Sequence, residues 1–320
     1  MTAAGAAPTD DDSQPALQIE GLEFFYGPLQ ALAGISLSVP RGEIFGLLGP
    51  NGGGKTTLFR ILSTLLPHPT GSVSVFGHDL ATEPDQVREH IGVVFQHPSL
   101  DGKLTVSENL RHHGMLYGLS GAELEVCIDA AMRRLGIRDR ARDLVETLSG
   151  GLQRRVELAK GLVTSPRLLI LDEPSTGLDP GARRDLWQYL RGLRDEDGAT
   201  VLLTTHLMEE AEHCDRLAII DHGRIVTIGT PDSLRQRIGG DIITVQSADP
   251  DGLATLINQQ FGTHTARLGD VLRIERPNGH VFVRQLVEAF SDRISSVSLG
   301  KPTLEDVFIH ETGHRFWNEQ

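Results

Sequence analysis

The stretch Ile44-Phe-Gly-Leu-Leu-Gly-Pro-Asn-Gly-Gly-Gly-Lys55-Thr-Thr-Leu-Phe-Arg-Ile-Leu62 decides the fold. Its first five residues are an apolar run the length of a buried strand, and from Thr56 onward apolar residues return at helical spacing. Between them, Gly49 to Thr56 fits the pattern GxxxxGK[ST]. Phosphate oxygens need several inward-pointing N–H donors on a backbone that can wrap closely. Glycines opening a helix supply both the donors and the room. Lys55 is then placed for β- and γ-phosphates, and the Thr56 hydroxyl for Mg²⁺. The alternative, a glycine-rich turn with an incidental lysine, is disfavoured by the strand before the loop and the helix after it.

Working outward, other apolar runs end in a polar residue. Ile91-Gly-Val-Val-Phe-Gln96 ends in an amide, Arg167-Leu-Leu-Ile-Leu-Asp172 in an acid, and Thr200-Val-Leu-Leu-Thr-Thr-His206 in an imidazole. Strands alternating with helices predict an α/β fold, a largely parallel sheet covered by helices with its ligand at the strand C-termini. Before the loop, Leu17–Ile19, Leu22–Tyr26 and Ile35–Val39 read as three short strands, and after the loop's helix Gly71–Gly77 reads as another. Residues 104–136 turn helical. Leu148-Ser-Gly-Gly-Leu-Gln153 then opens a helix whose apolar face is Val156, Leu158, Ala159 and Leu162, with Ser149 as its cap and glycines that let an anion approach. Past Pro231 the spacing predicts a βαββαβ-like unit and a short helix over Thr303–His310, with a boundary near Gly239-Gly240.

Composition bounds the rest. A chain of 320 residues suggests two domains, and 39 % hydrophobic with 23 % charged residues is the balance of an ordinary globule. A net charge of −13 argues against a nucleic-acid surface. Cys127 and Cys214 have neither metal nor disulfide spacing and read as buried small residues. No run approaches the ~18 apolar residues of a membrane span. Residues 1–16, with Asp10-Asp-Asp12, read as a disordered tail without a leader, and the other twelve histidines besides His206 as surface residues.

On this ordered set of motifs, residues 17–238 resemble the ATP-binding cassette, or ABC, ATPase. The resemblance implies a P-loop core of mixed sheet and helices, an antiparallel β subdomain and a helical subdomain over about 97–163, followed by a small α+β domain over 239–320. It implies ATP and Mg²⁺ as ligands. Tyr26 would stack on adenine, with core packing as its competitor, and Gly49, Pro50, Asn51, Gly52, Gly53, Gly54, Lys55, Thr56 and Thr57 would cradle the phosphates. Thr56, Gln96 and Asp172 would hold the metal; Glu173 would polarise the attacking water, with Gln96 and His206 beside it. Ser149, Gly150 and Gly151 would reach the ATP of a partner protomer, and Asp179 would cross the dimer. One phosphate loop and one signature per chain imply a homodimer or a similar cassette chain.

Two departures stand out: Leu152 where many cassettes have glutamine, and Gly53 where alanine or serine is usual. The wording of Gly42–Pro50, Phe95–Asp101, Thr205–Glu212 and Pro302–Phe308 is similar to the ATPase subunits of bacterial drug, antibiotic and polysaccharide exporters of the daunorubicin-resistance type. That implies a separate integral-membrane permease docking on residues 97–118, a cytoplasmic site on the inner face of the membrane, and no nucleic-acid partner. The alternative is a soluble cassette acting as a clamp or assembly factor.

Overall fold

In this computed structural model residues 14–67, 70–97, 99–314 and 316 are described; most of the expected tail, residues 1–13, lies outside them. The chain divides into two compact units between Ile225 and Val226.

The first unit begins with β1 (Leu17–Tyr26) and β2 (Leu29–Val39), an antiparallel hairpin. Sequence spacing predicts three short strands here, and the structure has two. Gly21 takes φ 58°, and a register shift between Ile19 and Leu22 absorbs it, so the first strand runs on without a break. The second starts early because Leu29 and Gln30 pair with Tyr26 and Phe25. Just before β1, Ala16 is buried and the Gln14 carbonyl accepts from Arg41 Nε at 2.7 Å.

Next come β3 (Ile44–Leu48), α1 (Lys55–Leu62), β4 (Thr70–Val75) and β5 (His78–Asp79). The first small sheet has the order β2-β1-β4-β5. Then α2 (Pro84–His90) leads into β6 (Ile91–Val94), and α3 (Val106–Leu116), α4 (Gly121–Arg134) and α5 (Gly150–Leu162) follow. Thr105 and Glu108 form a capping box at the start of α3, satisfying donors that a helix end leaves open. Val106, Leu110, Leu124, Ile128 and Val156 from these helices share one core. Full burial of such a side chain stabilises by about 1.5–3 kcal/mol.

β7 (Leu168–Asp172), α6 (Pro180–Asp197), β8 (Thr200–Thr205), α7 (Met208–Ala211), β9 (Arg216–Asp221) and β10 (Arg224–Gly229) complete the main sheet, in the order β10-β9-β3-β8-β7-β6. β3, β6, β7, β8 and β9 run parallel, and β3, β7 and β8 are buried at every position, which explains their unbroken apolar runs. Among the described residues no helix is long and apolar enough to cross a membrane.

The second unit contains α8 (Pro231–Gln236), β11 (Asp241–Gln246), α9 (Pro250–Phe261), β12 (Ala266–Leu268), β13 (Val271–Arg276), α10 (Gly279–Phe290), β14 (Ser296–Gly300) and α11 (Leu304–Thr312). Its antiparallel sheet, in the order β12-β13-β11-β14, is the βαββαβ arrangement that the spacing predicts. Ile243, Val245, Leu272 and Ile274 of the sheet pack on Leu253, Ile257, Phe282, Leu286 and Phe290 of α9 and α10.

Candidate functional site

Strand register assembles the site. Leu48 pairs with Thr205, and Asp172 with Thr204, so the residues that follow, Gly49, His206 and Glu173, emerge at one level of the sheet edge. Val94 pairs with Leu171, which brings Gln96 to the same edge. Residues far apart in sequence thereby meet where parallel strands end.

Gly49 leads the loop from β3 to α1. A Cβ on Gly49 would lie 2.3 Å from the Ile220 carbonyl oxygen, so only glycine fits against β9. Gly54 takes φ 106°, open to glycine at little cost, and a Cβ there would lie 2.9 Å from the Ala31 carbonyl oxygen. Gly53 is also tight, since an added Cβ would sit 3.1 Å from the Pro50 oxygen. The unusual glycine at this position therefore gives the loop room for its own carbonyl.

Lys55 is buried, and its Nζ donates to the Gly49 carbonyl at 2.7 Å and the Pro50 carbonyl at 3.0 Å. Burial holds its pKa below the usual lysine range, partly offset by the charges of Glu173 and Asp172. A cavity of about 250 Å³ beside it is lined by Tyr26, Ala31, Asn51, Gly52, Lys55 and Thr56, among others. Tyr26 is 42 % exposed and makes an edge contact with Phe24 at 5.0 Å, so the ring is a face at the rim and not a core element.

Glu173 is the hub. Its Oε2 accepts from Gln96 Nε2 at 2.9 Å and from the Thr176 hydroxyl at 3.3 Å; its Oε1 lies 3.0 Å from His206 Nδ1 and 3.9 Å from Lys55 Nζ. Its backbone takes φ 44°, a costly conformation for a side-chain-bearing residue, held by bonds from its N–H to the Thr204 carbonyl at 3.2 Å and the Thr204 hydroxyl at 3.1 Å. The Thr204 hydroxyl in turn donates to Asp172 Oδ1 at 2.5 Å. Burial pushes the Asp172 carboxyl up, with the Thr204 bond opposing. Sequence reasoning missed Thr204, whose signal was its place two residues before His206.

The residues at the start of α5 do not line the Lys55 cavity. Ser149 and Gly150 are exposed, and the Ser149 hydroxyl caps α5 by accepting from Leu152 N at 3.4 Å. Asp179 caps α6, its Oδ1 accepting from Gly181 N at 2.9 Å and Ala182 N at 3.0 Å. Leu152 is partly buried against the helical core, which accounts for an apolar side chain there. Of the two cysteines, Cys214 is buried and Cys127 partly so. His113 is partly buried, not a surface residue as expected, because α3 packs on neighbouring elements, whereas His213 is exposed as expected.

Chemically, this edge joins a phosphate-sized glycine cradle and a buried lysine to a carboxylate held by an amide and an imidazole. A nearby buried Asp172 offers the hard oxygen ligand that a divalent cation prefers. The donor set therefore fits a nucleotide triphosphate with Mg²⁺.

Comparison with known proteins agrees with this geometry. The family profile described as ABC transporter matches residues 32–176. The chain is 38 % identical over 313 residues to the daunorubicin/doxorubicin resistance ATP-binding protein DrrA of Streptomyces peucetius, covering 95 % of this chain and 94 % of that protein. It is 39 % identical over 315 residues to the Nod factor export ATP-binding protein I of Rhizobium leguminosarum bv. viciae, covering 96 % and 98 %. Among solved structures, cbiO1 of Clostridium perfringens, part of the ABC transporter complex cbiONQ, is similar with a TM-score of 0.65 and 28 % identity, over 78 % of this chain and 96 % of that one.

Proposed function

The chain belongs to the ABC transporter family as an ATP-hydrolysing, nucleotide-binding subunit, and from that premise we propose that two copies close over two ATP molecules to drive export through a separate membrane permease. The observation that carries the catalytic part is the Gln96–Glu173–His206 cluster, with contacts of 2.9 and 3.0 Å, at the mouth of the Lys55 loop.

In this reading the glycine loop and Lys55 hold the β- and γ-phosphates, and the exposed face of Tyr26 takes the adenine. Glu173 accepts the proton of the attacking water. Gln96 and His206 hold that carboxylate in line with the γ-phosphate, since phosphoryl transfer depends on positioning more than on covalent chemistry. Thr56, Gln96 and Asp172 would hold Mg²⁺, which would neutralise charge on the phosphate oxygens.

Ser149 and Gly150 stand exposed and Gly151 half-buried at a helix N-terminus, a ready anion site, and none of them lines the cavity beside their own phosphate loop. They serve the γ-phosphate of a second copy, and Asp179 lies on that same interface. Met115, Leu116 and Tyr117 at the end of α3 are 57 %, 84 % and 48 % exposed, an apolar patch suited to a permease segment. The relatives' names give daunorubicin/doxorubicin resistance or Nod factor export to them, and a drug, antibiotic, lipid or polysaccharide is the corresponding cargo proposed for this chain. Its place is then the cytoplasmic face of the membrane. The C-terminal unit steadies the assembled complex, and nucleic acid plays no part.

The test is purification of tagged Glu173→Gln protein from gently solubilised membranes with Mg-ATP. A multi-span membrane protein in stoichiometric amount is expected. Recovery of the dimer alone, with ATP trapped and other membrane complexes intact, would count against the export reading.

A further inference from the structure

Beyond its capped N-terminus, α5 carries a second set of polar contacts. Arg154, Glu157 and Lys160, three residues apart, contact the segments that bear Gln96 and Glu173. Arg154 Nη1 donates to the Phe95 carbonyl at 2.8 Å, and its Nε donates to the Pro174 carbonyl at 2.8 Å. Phe95 immediately precedes Gln96, and Pro174 immediately follows Glu173. A single guanidinium therefore bonds carbonyls of the residues adjoining Gln96 and Glu173, whose side chains meet at 2.9 Å.

The hold is buried and doubled. Arg154 is 9 % exposed and Glu157 1 %. Glu157 accepts from the Ser99 backbone N–H, and from the Ser99 hydroxyl at 3.1 Å. Lys160 Nζ donates to the Ser99 carbonyl at 3.2 Å and lies 3.3 Å from Glu157 Oε2. The loop after β6 is thus tied to α5 on either side of Gln96. Arginine suits the task because its planar fork reaches two acceptors in different directions, and a lysine ammonium is a compact point charge that does not reproduce this geometry.

We infer that Arg154 is a positioning residue for hydrolysis: through Phe95 and Pro174 it locks the segments that bear Gln96 and Glu173 to α5, so that the helix and both side chains move as one body. This inference deepens the proposed function and rests on it in one respect, the reading of the α5 N-terminus as the surface that meets the partner's nucleotide. Engagement of that nucleotide at Ser149 is then transmitted through Arg154 to the water-polarising carboxylate. A purely structural arginine would hold the fold and leave the alignment of Glu173 unaffected.

The experiment is a double-mutant cycle on the full chain, with Arg154→Lys and Arg154→Gln each made alone and combined with Glu173→Gln. The readouts are kcat, KM for ATP, binding of trinitrophenyl-ATP and Tm. Arg154→Lys is expected to lower kcat about tenfold or more, with KM and analogue affinity within about twofold of wild type. Over Glu173→Gln the further loss is expected to be under about twofold, because the positioned group is already gone. Arg154→Gln, which retains amide donors without the charge, covers the case in which the lysine variant is unstable. Equal losses in both backgrounds, an unchanged kcat, or a loss of affinity in step with Tm would overturn the inference. A Glu173→Gln protein with wild-type turnover would instead refute the reading of Glu173; the same cycle over Gln96→Ala then decides Arg154.

Discussion

The parallel strands β3, β6, β7, β8 and β9 of the first unit and the four-stranded antiparallel sheet of the second are put to different use. In the first, β3, β7 and β8 end at one level, and each hands over to a residue of the site: Gly49, Glu173 and His206. In the second, the buried Arg273 is closed off by Asp306 at 3.1 Å and by Glu275. Buried side-chain nitrogen or oxygen atoms without a hydrogen bond occur on Arg154, Ser175, Arg183, Trp187 and Glu210, all in the first unit; among the described residues the second has none. Completed polar pairing suits a region that holds its shape.

Four measurements would break or sharpen this contrast. The largest effect is expected from Glu173→Gln, which should cut turnover by about 10²–10⁴ and leave ATP binding intact, as seen by comparing steady-state rate with equilibrium binding. Wild-type turnover in that variant would remove Glu173 from the chemistry. Gly49→Ala comes next. The added Cβ would lie 2.3 Å from the Ile220 oxygen, so nucleotide affinity should fall by about tenfold or more in a titration with trinitrophenyl-ATP.

In the second unit, Phe282→Ala should cost about 3–5 kcal/mol of that unit's stability in denaturant unfolding and leave the affinity for ATP unchanged. Loss of nucleotide affinity there would show that the two units are less separate in function than in structure. The smallest effect concerns His113, whose pKa is lowered to about 4, first by burial and then by the charge of Lys160. The unfolded chain takes up this proton near pH 6.5, before the folded one does. Stability of the first unit should therefore fall as pH drops from about 6.5 toward 4, and His113→Gln should flatten that limb.

Much of the first unit was legible because its chemistry demands rare residue types at fixed places. Gly49 and Gly54 are required by close backbone approach, and Lys55 by the phosphate, so the loop announces itself. The polar tips Gln96, Asp172 and His206 stood out against apolar strands, but their meeting depends on register, which no local pattern encodes. Thr204 was hidden because a threonine inside a strand reads as β propensity. Arg154 was hidden because its partners are backbone carbonyls, which leave no trace in the sequence. The early strands were misjudged at Gly21, where a bulge and not a turn accommodates the positive φ. In the second unit the alternation of strand and helix was readable; its function was not, since a satisfied core requires only apolar periodicity.

The central claim is that each chain supplies half of each catalytic site. Lys55→Ala disables the phosphate loop, and Gly150→Asp puts a carboxylate at the start of α5, where Gly150 has open space around it and the fold should tolerate the change. The two variants, co-expressed with different tags and purified through both, form mixed dimers in which one composite site keeps an intact loop and an intact α5 N-terminus. The account predicts that either variant alone is inactive and that mixed dimers regain ATP hydrolysis, up to about half the wild-type rate per dimer. Mixed dimers that bind ATP yet stay as inactive as their parents would contradict it.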